Sequence, residues 1–321
     1  MPKNKTEFFY YNIHGLKIQT NFDVKFFGES IPDYFSVKKL SNSDLKIFKV
    51  KDISEQGFKM RAPPYTLTKG KSMLHRYSFA IPCKFSLTDL DGKTTIEFTD
   101  FYHKLIGTKH IFHNILQIKF LQRNMLMIHA ACVNKDGKGI IVTGWDKSGK
   151  TTTASIIDNQ LLSDDITITD GKMFYAYPRT IRKFTGFKFP LQSQLSYIPY
   201  FNRFLKKIIG YEERFDIKPR TKSVKPDYIF AIRREGRGIK KLTKEEAVRF
   251  LMNQSMYHGA FSDPKFLLFA YASYYDFDIP IMFKKRLKIL EDLCSKTKNY
   301  MVMSEDKTEL AEMMKKTLKK S

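Results

Sequence analysis

The chain has 321 residues, 42% hydrophobic and 28% charged, with 56 Lys and Arg against 33 Asp and Glu for a formal net charge of +23. That much apolar material fills the core of one large or two moderate domains, which excludes a disordered or fibrous chain. Three widely spaced cysteines, Cys83, Cys132 and Cys294, exclude a disulfide framework, and no apolar run reaches the ~18 residues of a membrane span.

The segment MPKNKTEFFYY lacks a signal-peptide core, so the expected compartment is the cytoplasm. Residues 1–108 alternate short β-like runs, GLKIQT, LKIFKV, YSFAIP and TTIEFT, with turn signals that include Asp91-Gly92, and read as a β-rich N-terminal region. A helix from Lys109 to Arg123, with Phe112, Leu116 and Phe120 on one face, joins it to a second part, 109–321. His110 and His113 lie one turn apart near its start, with His103 upstream. No further His or Cys nearby completes a tetrahedral set, so they read as ordinary helix residues.

Next, LMIHAACV (126–133) and GIIVTG (139–144) flank NKDGK, whose Asp136-Gly137 is a hairpin turn signal. Pairing Val133 with Ile140 sets His129 opposite Gly144, whereas a slip of one residue turns the imidazole to the other face. The second strand runs into GWDKSGKT (144–151), which fits G-x-x-x-x-G-K-[ST], and TTTASIIDNQ after it forms a short helix weakened by β-branched residues. In this pattern the glycines let the backbone curl, so that successive N–H groups and the helix N-terminus point at phosphate oxygens. The nucleotide-binding set is therefore Gly144, Trp145, Asp146, Lys147, Ser148, Gly149, Lys150, Thr151 and Thr152. Lys150 reaches the outer phosphates of ATP or another nucleotide, and the Thr151 hydroxyl binds the Mg²⁺ that bridges them.

Downstream, QLLSDDITI brings an apolar strand to two consecutive acids, Asp164 and Asp165. Adjacent carboxylates repel and raise each other's pKa unless a cation or proton separates them, so this pair suits a general base and a metal partner. If the strand runs parallel to the one before the glycine loop, both acids face the crevice at the carboxyl ends of the sheet. ITITDGKMFYAYP then reads as a second hairpin, turning at Asp170-Gly171 and followed by Arg179 and Arg182.

Residues 199–244 hold 14 Lys and Arg against 5 Asp and Glu. The aromatic and basic stretch within 197–220 suits a lid over the nucleotide, a docking surface for an acidic protein, or a patch on anionic lipid. A solvated Lys-rich surface around a packed helix accounts for it equally well. Arg233 and Arg234 close PDYIFAIRRE; an arginine there stabilises charge on a phosphoryl group in flight, or the pair brackets a strand end. Thr243 with Glu246 forms a capping box before a helix whose buried stripe is Ala247, Phe250 and Leu251. NYMVMS is a last strand, and Asp306 with Glu309 caps the terminal helix.

The run of His129-Ala130, the glycine loop and Ser163-Asp164-Asp165 resembles, in order and spacing, the catalytic core of the HPr kinase/phosphorylase superfamily. The P-loop architecture of that superfamily is similar to that of phosphoenolpyruvate carboxykinase. PDYIFAIRRE with IKKLTKEEAVRFLMNQ, and upstream YNIHGLKIQ with FHNILQIKFLQRN, resemble flanking segments of its small stand-alone kinases. The resemblance implies an α/β fold with a P-loop kinase core. It implies phosphate binding by Lys150, Mg²⁺ at Thr151 and a general base at Asp164, with His129 and Asp165 supporting the site; the paired carboxylates make Asp165 the metal partner, and Arg233, from its strand end, completes the catalytic set. Asp146-Lys147 stands where the bifunctional enzymes prefer Ser-Gly, RKFTGFKF carries no glutamate near their second metal ligand, and their C-terminal loop signature is not evident. Phosphorylase activity and the HPr substrate are therefore not implied, and the chain is too short for a carboxykinase.

The expected activity is transfer of phosphate from ATP, or another nucleotide, to a hydroxyl, with serine of a protein, a peptide or the free amino acid as acceptor; self-association is left open. Two other classes fit parts of the chain. One is a non-catalytic nucleotide sensor or lapsed kinase. The other is a nucleic-acid-associated P-loop protein, motivated by the charge but without an accompanying recognition motif.

Overall fold

The computed structural model describes residues 7–23, 32–62, 66–77, 81–105, 109–145, 148–158, 160–178, 180–185, 211–260 and 271–319. It is a mixed α/β structure with two large mixed sheets.

The first sheet uses β1 (Phe9–Ile13), β2 (Leu16–Thr20), β3 (Ser36–Val37), β4 (Leu45–Val50), β5 (Lys59–Ala62), β6 (Thr66–Lys69), β7 (Ser72–Arg76), β8 (Lys84–Thr88) and β9 (Thr94–Thr99). Their order is β3-β1-β2-β4-β9-β8-β7-β6-β5, antiparallel except where β4 runs parallel to β2 and β9. The runs LKIFKV and TTIEFT are strands over their whole length. Of YSFAIP, 78–80 lie outside the described residues, and Tyr77, Ile81 and Pro82 are not in a strand; they belong to the connection between β7 and β8, with Tyr77 N donating to Cys83 O at 2.9 Å. Pro82 has no N–H to give a ladder, and pairing falls to SMLHR and KFSLT on either side.

Two helices follow, α1 (Asp100–Leu105) and α2 (Lys109–Gln122). On α2, Phe112, Leu116 and Phe120 are at most 2% exposed, each stabilising by about 1.5–3 kcal/mol. They share one core with Ile18, Ile47 and Phe98 of the first sheet and with Ile168, Tyr177 and Tyr271 from beyond α2, so apolar packing crosses the boundary at 108.

The second sheet contains β10 (Leu126–Ile128), β11 (Ala130–Lys135), β12 (Lys138–Thr143), β13 (Leu161–Ser163), β14 (Thr167–Thr169), β15 (Phe174–Tyr175), β18 (Ser223–Arg233), β19 (Gly238–Lys241) and β20 (Lys298–Met303); β16 (Thr180–Thr185) and β17 (Tyr211–Asp216) pair separately. Between these strands come α3 (Lys150–Ile157), α4 (Lys244–Ala260) and α5 (Ile279–Lys296), and α6 (Lys307–Lys319) closes the described chain. β12, β18 and β20 are parallel neighbours, so Thr143, Arg233 and Met303 end at one edge.

Buried on both faces, β12 and β18 read as near-continuous apolar runs. Ile141, Ile229 and Ala231 pack on Leu251 of α4 and Leu290 and Leu293 of α5. The alternate residues Ile140, Val142 and Phe230 pack on Ala154 of α3 and Leu310 of α6. The second part is therefore a three-layer α/β/α unit. The capping box at α4 is present: Thr243 N donates to Glu246 Oε2 at 2.9 Å and Glu246 N to Thr243 Oγ1 at 3.1 Å. Among the described residues, no helix is long and apolar enough to cross a membrane. Residues 197–210 of the aromatic and basic stretch lie outside the described residues, as does Arg179.

Lys119 ties the parts together. It is 3% exposed, and its ammonium donates to Leu90 O at 2.9 Å, Gly92 O at 2.7 Å and Gln122 Oε1 at 3.0 Å. Burial without a paired carboxylate lowers its pKa to about 8. The unfolded chain then holds a proton that the folded one has released between pH 8 and the usual lysine value. Stability relative to Lys119→Met is expected to rise from pH 8 to pH 10, by at most about 3 kcal/mol, in denaturant titrations. A difference that is flat with pH would refute the buried charge.

Candidate functional site

The hairpin of β11 and β12 has the register set by its Asp136-Gly137 turn: Val133 faces Ile140 and Ala130 faces Thr143. His129 and Gly144 are the residues just beyond this last pair, and Thr143 Oγ1 donates to His129 O at 2.9 Å. The imidazole is 1% exposed at the start of the glycine loop. Gly144 itself is seated on β18, where an added Cβ would lie 2.9 Å from Ile232 O and 2.8 Å from Ile232 Cγ1.

Past Gly144, Trp145 is 59% exposed and is the single tryptophan of the chain. Asp146 and Lys147 lie outside the described residues. Ser148 N donates to Trp145 O at 3.1 Å, and Gly149, at φ 96°, is the N-cap of α3. Only glycine holds this left-handed conformation without steric cost. Lys150 is buried at the first position of α3, its Nζ 3.0 Å from Trp145 O; Thr151 is half-buried and Thr152 exposed. Ser148 Oγ is buried and has no hydrogen-bond partner among the described residues. An orphaned hydroxyl inside a curl of backbone suits an anion's oxygen.

The acid pair forms the corner between β13 and β14. Because β13 is antiparallel to β11, it runs in the same direction as β12, and its carboxyl end meets the loop edge. Ser163 Oγ and Thr167 Oγ1 are 2.7 Å apart, and Thr167 Oγ1 donates to Ala130 O at 2.9 Å, which clamps both ends of the corner beside His129. Asp165 takes φ 62°, and the two side chains diverge. Asp164 Oδ1 accepts a hydrogen bond from Thr151 Oγ1, while Asp165 Oδ1 lies 2.8 Å from His129 Nε2.

The pairing is therefore Thr151 with Asp164 and His129 with Asp165. Sequence alone grouped Thr151 with Asp165 as metal ligands; nothing in two consecutive aspartates says which turns which way. Among the described residues, no three His, Cys, Asp or Glu side chains are arranged to hold a metal. A hydroxyl beside a carboxylate does fit Mg²⁺, which takes few protein oxygens and completes its shell with water and phosphate.

Arg233 is exposed at the end of β18, and its carbonyl accepts from Ser304 N at 3.2 Å. The Arg234 guanidinium donates to Glu305 O, so this arginine brackets the strand end. Compared with known proteins, the chain matches no family model and no curated sequence. The site geometry, together with the sequence motifs, carries the functional reading.

Gly144→Ala places a methyl group against a backbone carbonyl that β18 holds in the sheet. It is expected to cost about 1–3 kcal/mol of unfolding free energy in urea, with the main change at the loop. A variant as stable as wild type would show that the loop is not seated on β18.

Proposed function

We propose that the protein is a nucleotide-dependent kinase that transfers a phosphoryl group from ATP, or another nucleoside triphosphate, to a hydroxyl, with serine as the expected acceptor. The observation that carries this reading is the contact of Thr151 with Asp164 at the mouth of the glycine loop, with Asp165 held by His129 beside it. A phosphate loop alone suits any nucleotide binder. A carboxylate brought onto the loop's own threonine adds a group that can serve the reaction, and the resemblance to HPr-kinase-like enzymes points the same way.

In this reading the described backbone N–H groups of the loop and of the start of α3, with Lys150, hold the phosphate chain. Thr151 and Asp165 would hold Mg²⁺, which would neutralise charge on the outer phosphates, and Asp164 is left as the base. Asp164 accepts the proton of the acceptor hydroxyl as its oxygen bonds to the outermost phosphorus. The bond from that phosphorus to the bridging oxygen breaks, and the nucleoside diphosphate leaves. Asp165 is held beside Asp164 by its hydrogen bond with His129. Arg233, exposed at the same sheet edge, would supply positive charge to the transferring group.

The test is transfer from γ-labelled ATP with Mg²⁺ into an extract of the source cells. Wild type is expected to label a discrete product, and Lys150→Ala and Asp164→Asn to lose at least about 100-fold in rate. If nucleotide binds but no product forms and wild type matches Asp164→Asn, the base assignment fails and the protein is a nucleotide sensor.

A further inference from the structure

Gly149 is hemmed in by a residue from the far end of the chain. A Cβ at position 149 would lie 3.0 Å from Lys307 Cγ and Cδ and 3.1 Å from Cε. The methylene stem of Lys307 therefore rests on the glycine loop, at the residue just before Lys150.

Its backbone is fixed on both sides. Ser304 N donates to Arg233 O and the Arg234 guanidinium to Glu305 O, which ties the β20–α6 connection to the end of β18. Asp306 Oδ1 accepts from Thr308 N at 2.5 Å and Glu309 N at 3.1 Å, which caps the helix that Lys307 opens. The neighbouring Glu309 carboxylate is already engaged, by Ser304 Oγ at 2.5 Å and Arg237 Nε at 2.6 Å. Lys307 is exposed and makes no hydrogen bond or ion pair with any described residue, so its ammonium is available at the rim of the loop.

We propose that Lys307 is a second phosphate-binding cation of this site, holding the inner phosphates of the nucleotide while Lys150 holds the outer ones; this rests on the kinase reading above. The strand order carries the assignment. β13, with Asp164, lies on one flank of β12, and β18 and β20, which deliver Lys307, lie on the other. The reacting phosphoryl group faces Asp164, so a cation on the opposite flank meets the phosphates nearer the nucleoside. A lysine suits that place, because its flexible stem carries a compact charge and three donors.

Calorimetric titration with MgADP and MgATP of wild type, Lys307→Met and Lys307→Arg tests this. Methionine keeps the stem on Gly149 and removes the charge. Lys307→Met is expected to weaken both nucleotides by a similar factor, about tenfold or more, at an unchanged melting temperature, and Lys307→Arg to restore most of the affinity. In turnover, KM for ATP rises while kcat changes little. Lys307→Met binding both nucleotides like wild type overturns the proposal, and so does a loss confined to ATP, which would move Lys307 to the outer phosphate. Wild type that binds neither nucleotide removes the kinase reading itself, and Lys307 with it.

Discussion

Two carboxylates on adjacent residues repel each other, and the organisation of this edge follows from how the chain keeps Asp164 and Asp165 apart. The left-handed backbone at Asp165 sends one side chain to Thr151 and the other to His129. Such a conformation costs roughly 1 kcal/mol for a non-glycine residue and persists only where its surroundings dictate it. Here they do: two hydrogen bonds in series, Ser163 Oγ with Thr167 Oγ1 and Thr167 Oγ1 to the carbonyl of Ala130, span the corner. Ala130 is in turn placed by the hairpin that feeds the glycine loop, so one register sets the imidazole, the acid corner and the loop together.

That hairpin was legible because its register is a local matter. Asp136 and Gly137 both take positive φ, the two-residue turn fixes Lys135 opposite Lys138, and each pair inward follows. Local signals were sound elsewhere too: the Thr243–Glu246 capping box, the turn at Asp170-Gly171, and the apolar stripe of α2 each concern residues a few positions apart. In YSFAIP the described residues Tyr77, Ile81 and Pro82 fall in a connection, and the pairing lies in the runs on either side, Ser72–Arg76 with Lys84–Thr88.

What sequence did not show is non-local. β18 pairs with β12 and β20, each far away in the chain, and nothing in SVKPDYIFAIR names its neighbours. The same parallel pairing brings Arg233, Ser304 and the start of α6 to the glycine loop, which is why Lys307 was missed at the sequence level. A lone lysine after a final strand carries no pattern. Its proximity to the loop is visible only as the space that Gly149 leaves for its stem. Likewise, Lys119 reads as one more surface cation in a basic chain until its three hydrogen bonds to the Leu90–Gln122 neighbourhood are seen.

The loop's internal contacts bear on how a ligand would enter. Lys150 donates to the carbonyl of Trp145, and Thr151 donates to Asp164. Both are contacts of charged groups with partners that a phosphate and a cation can replace, so binding exchanges hydrogen bonds rather than creating them in an emptied site. Ser148 Oγ differs, since its buried hydroxyl gains a partner outright. On the proposed reading, a cation at Thr151 would also weaken the repulsion that the turn at Asp165 opposes, and phosphate oxygens would complete its shell. Nucleotide and metal would then be coupled through the same corner, each making the other's binding more favourable, with the acid pair as the physical link between them.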